Sequence, residues 1–170
     1  MNRIALAALA AATLATAAQA ELITYEFDIT VDQAVPAPDV DGFNPSGFGI
    51  VDVDTEALTI SWTITYEGLT GPIVAPGAHF HGPALPGETA GVEVFLTDGD
   101  PAEPASGSLV GSAPLSLQQL DDVTSGLWYV NIHTAQNPSG EIRGQVVPGP
   151  GAMALLGVAG LAARRRRRRG

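Results

Sequence analysis

The chain of 170 residues has only three histidines, and their spacing is its clearest chemical signal. His79 and His81 lie one residue apart in "AHFHGPA". On an extended strand, residues i and i+2 share a face about 6.6–7 Å apart. Both imidazoles therefore point the same way, while Ala78 and Phe80 point the other. The third, His133, lies in "GLWYVNIHTAQNPSGEIRGQV". There Trp128, Val130 and Ile132 form an apolar side, and Tyr129, Asn131 and His133 form the opposite one. Three imidazoles on neighbouring strands are a donor set for one metal ion, and nitrogen donors suit copper or zinc outside the cell. Approach of all three imidazoles to less than about 4.5 Å would favour a shared ion. Spacing alone leaves two other readings open. A His-x-His pair can sit on a wet strand face as plain surface, and His79 can hydrogen-bond a loop carbonyl.

Arg143 is the only cation between residues 21 and 147. Among so many acids it is expected to have a fixed partner, either Glu141 or a turn carbonyl. The alternative is an anion-guiding group near the histidines. Two acidic clusters, Asp39, Asp41 and Asn44, and Asp98, Asp100 and Glu103, could offer oxygens to calcium. Neither has EF-hand spacing, so ordinary Asp/Gly turns are expected. No nucleophile elbow and no glycine-rich phosphate loop occurs, so a hydrolase is not expected.

The elements that must carry these residues have a period of two. Ile23, Tyr25, Phe27, Ile29 and Val31 alternate with polar residues, as do Leu58, Ile60, Trp62, Ile64 and Tyr66. That is the pattern of antiparallel strands with one face on a core and one in water. Further strands are expected at Gly47–Val53, Ala78–His81, Val92–Leu96, Ser108–Gly111, Gly126–Thr134 and Gly140–Val147. "VDTEALT" reads as a hairpin connection, and Gly/Pro-rich pieces separate the other strands. Only Leu115–Asp122 reads as a short helix. About eight strands without βαβ alternation predict an all-β, antiparallel Greek-key β-sandwich. There is no cysteine, so one hydrophobic core must hold the fold without disulfides.

The two ends differ from this body. Residues 1–20 carry a positive charge near the start at Arg3, continue as an Ala/Leu run and close on Ala18-Gln19-Ala20, the pattern of a secretory signal peptide. Residues 148–170 hold Pro148 and Pro150, an apolar run from Gly151 to Ala163 and six arginines from Arg164 to Arg169. That run is shorter than the roughly 20 residues of a usual spanning helix, and the arginines mark its cytoplasmic side. A membrane-anchoring or sorting tail is expected, with the body exported to the periplasm, cell surface or extracellular matrix. Between 21 and 147, eighteen acids face one arginine, a net charge of −17 against −10 for the whole chain. Such a body repels phosphate polymers, so nucleic acid is not expected as a partner. It suits high salt, a soluble body beside a membrane, or a weak cation binder.

The two histidine blocks resemble the signature blocks of CHRD domains, a family first named from chordin. Gly82-Pro83, the Trp128–Thr134 run and Gly140–Gly144 fit in order, and the resemblance spans about Leu22 to Val147. It implies an immunoglobulin-like sandwich related to that of copper-zinc superoxide dismutase. It maps the family's recurrent histidines to His79, His81 and His133, and its recurrent polar positions to Asn131, Glu141 and Arg143. Compared with the dismutase, three copper ligands have counterparts; the bridging and zinc-loop histidines have none, so a binuclear site is excluded. The resemblance leaves a mononuclear copper site, with zinc the lesser alternative. Asn131, Tyr129 or water would complete the shell, and Glu141 would orient an imidazole. The tail resembles the PEP-CTERM sorting signal, with Pro148-Gly149-Pro150 in place of the usual motif, which implies an exosortase-like processing partner. Two functions follow as expectations: a non-catalytic envelope module that binds a protein or polysaccharide, or a three-histidine copper protein for copper handling or reactive-oxygen chemistry.

Overall fold

A computed structural model describes residues 22 to 147; the expected signal peptide and sorting tail, with Pro148, Pro150 and Arg164, lie outside the described residues. The chain forms β1 (Leu22–Thr30), a 3-10 turn (Val31–Gln33), β2 (Ser46–Asp54), β3 (Thr59–Glu67), β4 (Ile73–His81), β5 (Val92–Thr97), β6 (Gly107–Pro114), α1 (Leu117–Thr124), β7 (Tyr129–Thr134) and β8 (Ile142–Gln145). All ladders are antiparallel, in the order β5-β4-β7-β8-β1-β2-β3-β6. One residue pair, Thr30 with Arg143, joins β1 to β8. The ladder therefore divides there into two four-stranded layers, β1-β2-β3-β6 and β5-β4-β7-β8. Trp62 of β3 meets Phe80 of β4 edge-on at 5.5 Å, so the layers face each other across the core. This is the all-β antiparallel sandwich expected from the period-two segments.

The inward faces supply that core. In β3, Ile60, Trp62, Ile64 and Tyr66 are buried while Ser61, Thr63 and Thr65 between them are exposed. Large rings rest on glycine backbone across the ladder. Phe27 is registered with Gly49 and Trp62 with Gly111; a Cβ on either glycine would meet its ring at 2.5 Å. Absence of a side chain at these positions gives the aromatic rings their space.

Several boundaries differ from the sequence reading. The helix starts two residues later than expected, because Ser116 caps it: its Oγ accepts from Gln119 N at 3.2 Å, and Gln119 Oε1 accepts from Ser116 N at 3.0 Å. Such a reciprocal cap satisfies two otherwise unpaired donors of the first turn. β4 begins at Ile73, within a segment expected to be turn. Both ends of the segment expected to be the last strand lie outside β8, which covers only Ile142–Gln145. The larger difference is burial. β4 from Gly77 onward, β7 and β8 are buried on both faces. The face expected to be wet is covered by the 82–91 loop and the β7–β8 turn.

Glu141 ties that end of the sandwich together. It is fully buried, and its carboxylate accepts from Thr70 N at 2.7 Å, Thr134 Oγ1 at 2.5 Å, Asn137 Nδ2 at 3.0 Å and the Thr70 hydroxyl. Asn137 in turn exchanges two bonds with the main chain of Asp39, at 2.8 and 2.9 Å. The β3–β4 loop, the β7–β8 turn and the long β1–β2 loop thus converge on one carboxylate. Charge-assisted bonds are about twice as strong as neutral ones. Glu141→Gln would place an amide N–H against donors, and is expected to cost about 2–4 kcal/mol. Urea denaturation checks this, and a loss below about 0.5 kcal/mol would contradict the tie.

Candidate metal centre

Two strands and one irregularity place the histidines. β4 pairs with β7 so that His79 lies opposite Asn131 and His81 opposite Tyr129. His133, two residues beyond Asn131, therefore sits diagonally from His79. There the β4 ladder breaks between Ile73 and Ala78. Gly77 occupies φ +96, and a Cβ on it would collide with Thr97 O. Only glycine passes through this bulge without strain. The bulge turns Pro76 O back towards the His79 ring.

The three rings form one cluster. Their centroids lie 5.3 Å (His79–His81), 5.2 Å (His79–His133) and 6.2 Å (His81–His133) apart. One ring nitrogen from each lies within 4.8 Å of the others. That limit is wider than the roughly 4.2 Å that two metal–nitrogen bonds of about 2.1 Å can span, so binding one ion would draw the rings together. All three side chains are buried. The surface-pair reading of His79 and His81 is therefore incorrect; the covering loops, which period alone does not reveal, are the reason.

Each imidazole is held by a main-chain carbonyl. Pro76 O lies 2.5 Å from His79 Nε2, Ala90 O lies 3.0 Å from His81 Nδ1, and Pro138 O lies 3.0 Å from His133 Nδ1. A carbonyl can only accept, so each of these nitrogens carries the proton in the neutral ring. The lone pairs are then on His79 Nδ1, His81 Nε2 and His133 Nε2. Buried polar atoms almost always have partners. Here His79 Nδ1 and His81 Nε2 have none, and His133 Nε2 has only a 3.4 Å contact from the Asn131 amide. Three underused lone pairs in one buried histidine cluster are what a metal ion would use, with the other nitrogens oriented by fixed acceptors.

The rings are also neutral. Burial pushes the His133 pKa down to about 4, with smaller lowering from His79 and His81, and opposed by the Pro138 bond. Burial likewise lowers His79 and His81 below the ordinary histidine value. Protons therefore do not compete for the lone pairs at neutral pH.

The remaining sequence-predicted residues surround the cluster. Tyr129 stacks on His81 with ring centroids 5.0 Å apart and an interplanar angle of 7°. Its hydroxyl accepts from Ala90 N at 3.1 Å, which steadies the residue whose carbonyl holds His81. Asn131 Nδ2 donates to Ser139 O at 3.1 Å and faces His133. Gly140, at φ +119, leaves room for that amide, which a Cβ there would strike. Arg143 lies 3.5 Å above the Tyr129 ring. It donates to Glu88 O at 2.6 Å, Leu85 O at 3.4 Å and Gln145 Oε1 at 3.1 Å. Its fixed partners are thus turn carbonyls rather than Glu141. Glu141 spends its oxygens on Thr70, Thr134 and Asn137 and bonds no imidazole; the orienting role falls to backbone carbonyls instead. The expected Asp/Gly turns are present: Asp39 and Asp98 each accept from the main chain two residues on, at 3.3 and 3.0 Å.

Sequence reasoning did not identify Phe95. It is registered with His79, meets that ring edge-on at 4.7 Å, and remains 58% exposed. It forms the outer wall of the cluster. The strand spacing of β5 could have paired it with His79, but a bulged register hides such pairings from sequence.

The fold and the cluster together define an antiparallel β-sandwich that carries a buried three-histidine donor set. The chain belongs to the CHRD domain family, whose model matches residues 25–146. Comparisons with curated proteins and with solved structures gave no match.

The depressed histidine pKa values have a consequence for stability. Between pH 6.5 and about 4, the unfolded chain takes up a proton that folded His133 refuses, so stability rises with pH across that window. The contribution is fully present above pH 6.5 and is lost as pH falls through about 4, by on the order of 3 kcal/mol for His133. The melting temperature of the metal-free protein is expected to fall from pH 7 to pH 5. The fall should be smaller in His133→Asn, which also controls for carboxylate titration. Identical slopes in the two proteins would contradict the assignment.

Proposed function

We propose that the chain is an exported, non-catalytic CHRD-family module that holds one transition-metal ion, copper in preference to zinc, through His79, His81 and His133. The observation that carries this reading is the pair of orphaned buried nitrogens, His79 Nδ1 and His81 Nε2, in a three-histidine cluster where one nitrogen of each ring lies within 4.8 Å of the others. An all-imidazole set suits copper and zinc over the oxygen-seeking magnesium and calcium. Among divalent ions the general affinity order favours copper over zinc. The role would be storage or delivery of copper at the cell envelope. Export rests on the signal-like residues 1–20 and the sorting-like tail at 148–170, processed by an exosortase-like enzyme.

Docking of an envelope protein or polysaccharide is a second reading, compatible with the first. Its support is an exposed apolar row on the other layer, where Ile50 and Val110 flank Thr63 across the ladder and Phe48 shares their face.

Calorimetric titration of the purified protein with copper and zinc tests the first reading, with His133→Ala in parallel. One tight site per chain, with nitrogen hyperfine structure in its copper(II) spectrum, is expected. The variant is expected to lose at least about tenfold in affinity, as removal of a ligand does more than loss of an outer partner. Equal, weak binding by both proteins would leave the histidines structural.

A further inference from the structure

We propose that the site is built for monovalent copper, and that Arg143 sets this preference by placing a buried, unpaired positive charge behind His81. This deepens the metal reading and depends on it.

The donor set is the first argument. All three ligands are neutral, and among the described residues no carboxylate groups with the cluster. Glu141 is committed to Thr70, Thr134 and Asn137. Glu88 accepts from Leu85 N at 3.2 Å, and Glu93 accepts from Gln119 Nε2 at 2.9 Å. The polar side chains beside the rings are also occupied, with Asn131 donating to Ser139 O and Tyr129 accepting from Ala90 N. A monovalent copper ion is satisfied by three donors. Zinc takes four, and copper(II) takes a tetragonal set.

The second argument is the column Arg143–Tyr129–His81. The guanidinium carbon sits 3.5 Å from the Tyr129 centroid, and Tyr129 lies parallel to His81 at 5.0 Å. The partners of the guanidinium are two carbonyls and an amide oxygen, and among the described residues it has no carboxylate partner. Arg143 is 2% exposed, and water screens it poorly. An ion bound to His81 feels this charge at about 10 Å, and at an effective dielectric of about 20 each added unit of positive charge on the ion weakens binding on the order of tenfold. The exposed carboxylates act in the opposite sense, but they lie in water, where salt screens them beyond about 8–10 Å.

Arg143 also holds the 82–91 loop, which supplies Ala90 O to His81, so the test must separate charge from scaffolding. Affinities of the purified protein would be measured for copper(I) by competition with bathocuproine disulfonate, and for copper(II) and zinc by competition with nitrilotriacetate. The wild type is expected to bind copper(I) more tightly than either divalent ion. Arg143→Gln is expected to narrow the copper(I)-to-copper(II) affinity ratio about tenfold. Arg143→Lys retains the charge but not the forked contact with Leu85 and Glu88, and is expected to keep the wild-type ratio; a purely structural role would make it behave like Arg143→Gln. Should Arg143→Gln not fold, the wild-type ratio and the lysine variant decide. A wild type that binds copper(II) or zinc as tightly as copper(I), or a ratio unchanged in a folded Arg143→Gln, overturns the proposal while the metal site stands. Binding of every ion no tighter than in His133→Ala overturns the metal reading and this proposal with it.

Discussion

A buried imidazole must place its proton on a fixed acceptor, and this sandwich does so three times. The acceptors are Pro76 O, Ala90 O and Pro138 O, and none belongs to a regular ladder at the point of contact. Each comes from an irregular segment: the β4 bulge, the 82–91 loop and the β7–β8 turn. Each segment has its own support. Gly77 permits the bulge, Arg143 and Tyr129 hold the loop, and Glu141 with Asn137 holds the turn. The irregular parts of the fold are therefore the parts that fix which nitrogen of each ring is left free.

The charges follow the same logic. The body is strongly acidic, yet the cluster has no carboxylate bonded to it, and the one cation is buried behind Tyr129. Buried charges are tolerated when hydrogen bonds satisfy them. Arg143 and Glu141 both meet that condition with neutral partners. The result is a neutral, buried donor set inside an anionic protein. Acidic surfaces attract cations without selecting among them, whereas three oriented nitrogens can discriminate by ligand type and geometry.

Much of this was legible in the sequence because strands have a period of two. The alternation in residues 22–31 and 58–66 identified β1 and β3, and the same parity put His79 with His81 and His133 with Asn131 and Tyr129. Other features were hidden for physical reasons. In "AHFH" an apolar–polar alternation looks the same whether the polar face meets water or a covering loop. The loop that covers it is rich in Gly and Pro and has no period of its own. Glu141 bonds Thr70, which is 71 residues away, and Arg143 bonds Glu88, which is 55 away; no local pattern encodes such pairings. The helix start was encoded, since Ser116 and Gln119 form a capping box, but the apolar Leu115 before it drew the expected boundary too early.

The account depends on the position of three protons. Nitrogen-15 NMR of the imidazoles in the metal-free protein at neutral pH reads them directly, because protonated and bare ring nitrogens have well-separated shifts. The account predicts three neutral rings, with protons on His79 Nε2, His81 Nδ1 and His133 Nδ1 and bare nitrogens at His79 Nδ1, His81 Nε2 and His133 Nε2. Charged rings, averaged tautomers or a proton on any of these last three nitrogens would contradict it.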